Sequence, residues 1–186
     1  PAMAALLSNK DLKINGFINP GHVSAIIGTK VYEQFKVPQV IAGFTGMDVL
    51  KAINMLLAQI IDNEPRVENE YTRVVKPEGN KTAMNLIDEF FRVSDAKWRG
   101  LGTIKNSGLK IRKKYQKQDA EYVYKKLIDE VKKRPTKPSA CKCGLVLHGI
   151  IEPADCPLFG KACNPDKPYG ACMVSVEGAC NIEYHF

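Results

Sequence analysis

The chain has 186 residues, 45% of them hydrophobic, and 27 Lys and Arg against 20 Asp and Glu give it a net charge of +7. Such a length can bury one good core with a small appendage, and no apolar run approaches the roughly twenty residues of a membrane span. The basic excess gathers at 110–117 and 125–137 with no interleaved aromatic pattern for stacking bases, so it reads as a solvated helix face or a patch for an acidic protein, not as a nucleic-acid surface.

Residues 1–7 read as the end of a helix, and the apolar run 13–18 as a buried strand. Asn19 and Pro20 then form a cap-and-proline start for a helix through Val23, Ile26 and Ile27, ending at Gly28, with a second helical piece over 29–35. A second strand is expected over 39–44. Thr45 and Asp48 form a capping-box pattern that opens a helix with Val49, Ile53, Leu56, Leu57 and Ile60 on one face. A third strand is expected over 70–75, and Asn80 caps a helix carrying Ala83, Ile87 and Phe90. Residues 91–108 read as irregular. An amphipathic helix follows with Ala120, Val123, Tyr124, Leu127, Ile128 and Val131, and the prolines at 135 and 138 mark a linker over 132–140.

Strands alternating with helices predict an α/β fold with a three-layer parallel-sheet domain over 1–131, followed by a small irregular cysteine-rich module over 141–186. The strand-to-helix turns at 19–22, 45–48 and 76–80 should then share the carboxyl edge of the sheet, where open α/β folds bind ligands. Each turn joins glycine to a group able to coordinate or to exchange a proton, which makes His22, Asp48 and Glu78 candidate site residues. Asp48 has a competing structural role as a helix cap, and Glu78 fits a cap or a domain contact equally well. Trp98 and Arg99 fit either a docking surface or, for the Trp, a core position.

All six cysteines fall within 141–180, after 140 residues that contain none. The spacing runs C-x-C, then gaps of twelve, six, eight and seven residues, amid glycines and prolines with few apolar side chains. Such a stretch needs cross-links or a metal to hold one shape. A disulfide framework would suit a secreted chain, but the N-terminus shows no signal-peptide pattern. Zinc would suit paired C-x-x-C knuckles, which are missing, and an iron–sulfur cluster takes four thiolates at irregular spacing. Spacing alone leaves all three open.

The stretch C-K-C-G-L-V-L-H-G at 141–149, I-I-E-P-A-D-C-P-L-F-G-K-A-C at 150–163 and G-A-C-M-V-S-V-E-G-A-C at 170–180 resembles the C-terminal end of the HypD family of hydrogenase maturation factors. G-F-I-N-P-G-H-V-S-A-I-I-G at 16–28, Y-T-R-V-V-K-P-E-G-N at 71–80 and W-R-G-L-G-T-I at 98–104 agree with it. The resemblance runs over nearly the whole chain, while the family's N-terminal half has no counterpart here, so a C-terminal portion is expected. It implies a [4Fe-4S] cluster on Cys141, Cys156, Cys163 and Cys180, and a redox-active pair Cys143 and Cys172. It places His22 at a cleft between α/β domains, with Asp48 and Glu78 kept as cleft candidates from the sheet-edge reading. Thr45 and Gly46 stand where the family shows Glu-Pro in G-F-E-P-x-D, so no role passes to them.

For the full-length protein the resemblance implies a cytoplasmic assembly scaffold, not an enzyme with its own turnover. Its cargo is an iron with cyanide and carbonyl ligands, built for nickel–iron hydrogenases with a HypC-type chaperone and a HypE-type cyanide donor. No nucleic-acid or membrane partner is expected. Readings of another class are an electron-transfer module of ferredoxin–thioredoxin-reductase type on the same six cysteines, and a zinc-stabilised binding domain.

Overall fold

A computed structural model describes residues 1–132 and 140–186, so most of the linker expected over 132–140 lies outside the described residues. In chain order its elements are α1 (Ala2–Leu7), β1 (Phe17–Pro20), α2 (Gly21–Ile27), β2 (Gln39–Ala42), α3 (Gly46–Ile61), β3 (Val67–Asn69), α4 (Lys81–Phe90), β4 (Phe91–Trp98), β5 (Gly102–Ile111), α5 (Ala120–Val123), α6 (Lys125–Lys132), α7 (Cys143–Leu147), α8 (Ala171–Val174) and α9 (Ala179–His185). They gather into two compact units, Ile14–Glu89 and Pro1–Lys13 with Phe90–Phe186.

The first unit is a parallel sheet in the order β1-β2-β3, with Phe17 opposite Gln39 and Gln39 opposite Val67. Every residue of β2 is buried. Since successive strand residues face opposite ways, both faces of this central strand are covered. Val40 and Ala42 pack with Ala52, Met55 and Leu56 of α3. Polar groups close the amino end of the same strand. The Gln39 side chain accepts from Asn19 and donates to the carbonyls of Tyr32 and Phe35, and Gln59 bridges Gln39, Arg66 and Glu68. Two fully buried glutamines are tolerable because every one of these amide contacts finds a partner.

Several expectations shift here. The first strand lies at 17–20, not 13–18, and Asn19 spends its amide on Gln39 while Pro20 takes the cap position of α2. Residues 29–35 form only a short 3-10 turn at Lys30–Tyr32. The third strand lies at Val67–Asn69, ahead of the expected 70–75, and its pairing with β2 ends at Ile41 opposite Asn69. The β-branched run after it folds back instead, with Val75 N donating to Tyr71 O and Asn69 Nδ2 to Val75 O.

In the second unit the stretch expected to be irregular is an antiparallel hairpin, β4 with β5, carrying a register shift between Ser94 and Ala96. The amphipathic helix is present but broken at Tyr124 into α5 and α6, and its apolar residues Val123, Tyr124, Leu127 and Val131 stay exposed. Beyond it the cysteine-rich segment packs short helices and turns around sulfur: Cys143, Cys163, Cys172, Met173 and Cys180 form its core.

Candidate functional site

Local structure brings the six sulfurs together. Cys143 opens α7, Cys172 lies in the first turn of α8 and Cys180 in the first turn of α9. Cys156 caps a 3-10 turn that Glu152 and Asp155 close by a reciprocal capping box. Cys163 is held in a tight turn where its N–H donates to Leu158 O and its carbonyl accepts from Gly160 N. All six are free thiols, and five are buried, with Cys141 half-buried. The disulfide framework left open by spacing is therefore absent.

Backbone comes unusually close to these sulfurs. A β-carbon on Gly170 would stand 2.6 Å from Cys141 Sγ and 2.9 Å from Cys143 Cβ, so only glycine fits that wall of the nest. Gly100, at the tip of the β4–β5 hairpin with φ +91°, faces Cys143 Sγ, which a β-carbon there would meet at 3.2 Å. The hairpin is fastened to the nest by Arg99, whose guanidinium donates to the Tyr169 carbonyl. Tyr169 N in turn donates to Cys163 Sγ at 3.3 Å, and Cys180 Sγ donates to Cys172 Sγ at 3.2 Å.

Burial disfavours thiolate here. It pushes the Cys141 thiol up to about 11 and that of Cys172 up to about 12, and raises Cys180 as well. The neighbouring thiols acting on Cys180 through charge include Cys156, Cys141 and Cys163, besides its bonded neighbour Cys172. Those acting on Cys172 are Cys180 and Cys143. Cys141 is acted on by Cys143 as well as by Cys156, so these neighbours do not divide the six thiols into separate sets, and the sulfur in hydrogen-bond contact with Cys172 is that of Cys180. Among the described residues, no three His, Cys, Asp or Glu side chains converge as ligands of a single metal ion.

The carboxyl edge of the parallel sheet forms a second cluster. His22 starts α2 beside the ring of Phe44, with centroids 5.2 Å apart. Asp48 completes the capping box of α3 with Thr45 and also receives Arg73 Nη2 at 2.5 Å. The Arg73 guanidinium stacks 4.4 Å over the Tyr71 ring. Its hydrogen bond, aided by those from Thr45, holds the Asp48 carboxyl at about 2 despite burial that works the other way. Tyr71 and Arg73 escaped the sequence reading because a strand was expected to run through them. Glu78 goes elsewhere: it pairs with Lys30 at 3.3 Å on an exposed surface, and the adjacent Gly79 packs against the C-terminal end of α2, away from His22.

The model for the family described as "Hydrogenase formation hypA family", designated HypD, matches residues 1–186. A hydrogenase expression/formation protein of Methanocaldococcus jannaschii is 46% identical over 190 residues, covering 100% of this chain and 52% of its own length. Hydrogenase maturation factor HypD2 of Bradyrhizobium diazoefficiens is 43% identical, with 100% of this chain and 51% of the relative covered. For hydrogenase maturation factor HypD of Escherichia coli the figures are 42%, 100% and 50%. The chain spans about half the length of these relatives. With the family model matching residues 1–186 and relatives 42–46% identical over the whole chain, the chain belongs to the HypD family of hydrogenase maturation factors.

Proposed function

We propose that the cysteine segment is an iron–sulfur module within a maturation factor that assembles the iron dicyanide–carbonyl group of nickel–iron hydrogenases. The observation that carries this reading is the packing of five of the six free thiols, all but Cys156, in one small core closed by Gly170. Cys141, Cys156, Cys163 and Cys180 are the residues that would hold a [4Fe-4S] cluster. The donor set fits: soft sulfur ligands suit iron–sulfur chemistry, and the positive charge of iron would keep as thiolates the sulfurs that burial otherwise protonates. When bound, such a cluster supplies one-electron transfer. The Tyr169 N–H on Cys163 is the kind of hydrogen bond that tunes such a centre.

Cys143 and Cys172 remain as a reversible pair. Their oxidation to a disulfide yields two electrons and two protons, and the acceptor is the iron–ligand group under assembly. That iron is cargo, delivered with a HypC-type chaperone and a HypE-type cyanide donor in the cytoplasm. His22, Asp48 and Arg73 form one wall of the place where it is handled, with the buried Asp48 carboxylate holding the half-exposed Arg73 guanidinium in position.

Anaerobic purification tests the reading. Brown protein carrying about four iron and four sulfide is expected, as that cluster type requires. Ser at any of Cys141, Cys156, Cys163 or Cys180 should remove most of the iron, and Cys143→Ala should retain it while abolishing maturation. Stoichiometric zinc without sulfide would overturn the cluster, and full iron content in Cys141→Ser would overturn the ligand set. Copurification of the full-length protein with a HypC-type chaperone separates assembly from general electron transfer.

A further inference from the structure

Charge is not spread evenly over the chain. Residues 90–132 hold twelve Lys and Arg against five Asp and Glu, a surplus equal to that of all 186 residues. The same segment leaves apolar side chains uncovered: Val123, Tyr124, Leu127 and Val131 are 52–60% exposed. Tyr124, Leu127 and Val131 recur three and four residues apart, so they form one stripe along α6. Lys125 and Lys132, seven residues apart, edge that stripe on one side, and Glu130 stands at the other. Helices this short owe their stability to packing on one face, so a bare stripe on eight residues needs a cover. In the hairpin Arg92 lies directly opposite Lys110, an arrangement of like charges that destabilises a strand pair. Neither cation has an acidic partner among the described residues. Hairpin and helices border one hollow of about 590 Å³, where Lys97 and Lys110 of the strands meet Lys132 of α6. Its acidic residues are Asp95, Asp119 and Glu121. Asp95 accepts from Asn106 N and Asp119 from Glu121 N, so backbone already engages two of the three.

The phosphates of a nucleic acid would satisfy these cations but leave Leu127 and Val131 bare. A second copy of the chain would bring the same positive charge against itself. Carboxylates set beside aliphatic side chains answer both features. We propose that the stripe of α6 and the cationic hollow beside it dock an acidic protein. That partner lays an amphipathic helix against Tyr124, Leu127 and Val131 and turns its carboxylates toward Lys110, Lys125 and Lys132. Lys132 belongs to both features, since it edges the stripe and lines the hollow. Apolar burial supplies the affinity, while the charges steer the encounter and fix the orientation. No cysteine lies in this surface, so the proposal stands whether or not the thiols hold a cluster.

The test measures fluorescence anisotropy of two labelled peptide helices against the anaerobically purified chain. Both carry the same leucine seam, flanked by Glu in one and by Lys in the other. The acidic helix should bind more tightly, and added salt should narrow the difference. Its affinity should fall about tenfold in the double variant Lys125→Glu with Lys132→Glu, and about fivefold in Leu127→Ser, with circular dichroism unchanged. The basic helix should gain in the charge-reversed variant, and Lys81→Glu in the first unit should alter neither affinity more than about twofold. Equal binding of the two helices, or a charge-reversed variant no weaker than Lys81→Glu, overturns the proposal. Tighter binding of a single-stranded RNA oligonucleotide at the same lysines overturns it in favour of nucleic acid. Dimers in sedimentation that Leu127→Ser dissociates would make a second copy the occupant. In a full-length relative, amide-exchange protection of the corresponding helix without any partner would make that protein's own other half the occupant, and overturns the proposal likewise.

Discussion

Asp48 closes the cap of α3 and receives the Arg73 guanidinium, and both contacts favour its charged form. Its carboxyl is held at about 2 against an ordinary 3.8, so its contribution to stability is present above about pH 4 and is lost as the pH falls toward 2. Asp48→Asn should flatten that part of an acid-unfolding curve followed by circular dichroism; an unchanged curve would show that the pair does not act on folding. Gly170 poses a steric question. Gly170→Ala must displace the Cys141 sulfur or the Cys143 β-carbon, a form of overpacking that costs about 1–3 kcal/mol. It should lower iron content after anaerobic reconstitution, whereas Gly46→Ala, with open space around its β-carbon, should leave it unchanged.

At the scale of elements, α3 shows how far local pattern carries. Its start was legible because the capping box is made by residues three apart, and both reciprocal bonds are formed. Thr45→Ala should therefore cost about 1 kcal/mol in chemical denaturation, within the 0.5–2 kcal/mol usual for a cap. Its buried face was less legible. Asp48, Ala52 and Gln59 are buried and Leu56 packs inward as expected, while Val49, Ile53 and Leu57 are about two-fifths to one-half exposed. Periodicity marks an apolar stripe without saying which sheet residues meet it, and here the polar Gln59 goes inside because β2 offers it backbone partners. The β4–β5 hairpin was missed for a related reason. Its register shift at Ser94/Ala96 and its exposed residues Val93 and Leu109 erase the alternation that advertises a half-buried strand.

At the scale of the molecule, the two units are held by different chemistry. The parallel sheet is stabilised by apolar contacts with α3 and by a satisfied glutamine network, whereas the cysteine segment has sulfur where a core of its size would hold aliphatic side chains. Iron chelation should consequently lift amide-exchange protection in 141–186 and leave β1, β2 and β3 protected. Loss of protection in both regions together would show that the sheet depends on the cluster. Unequal cores of this kind explain what sequence alone determined. The alternation of strands and helices, the capping box at Thr45 and the clustering of all cysteines in one segment arise from spacing along the chain, and so they were readable, as was the family. Which glycine closes on which sulfur, the recruitment of Arg99 from a hairpin tip to Tyr169, and the meeting of Arg73 with Asp48 were decided only by tertiary structure. Those contacts join residues 25 and 70 positions apart, and their partners are chosen by where strands end and turns fold back, which no local periodicity encodes.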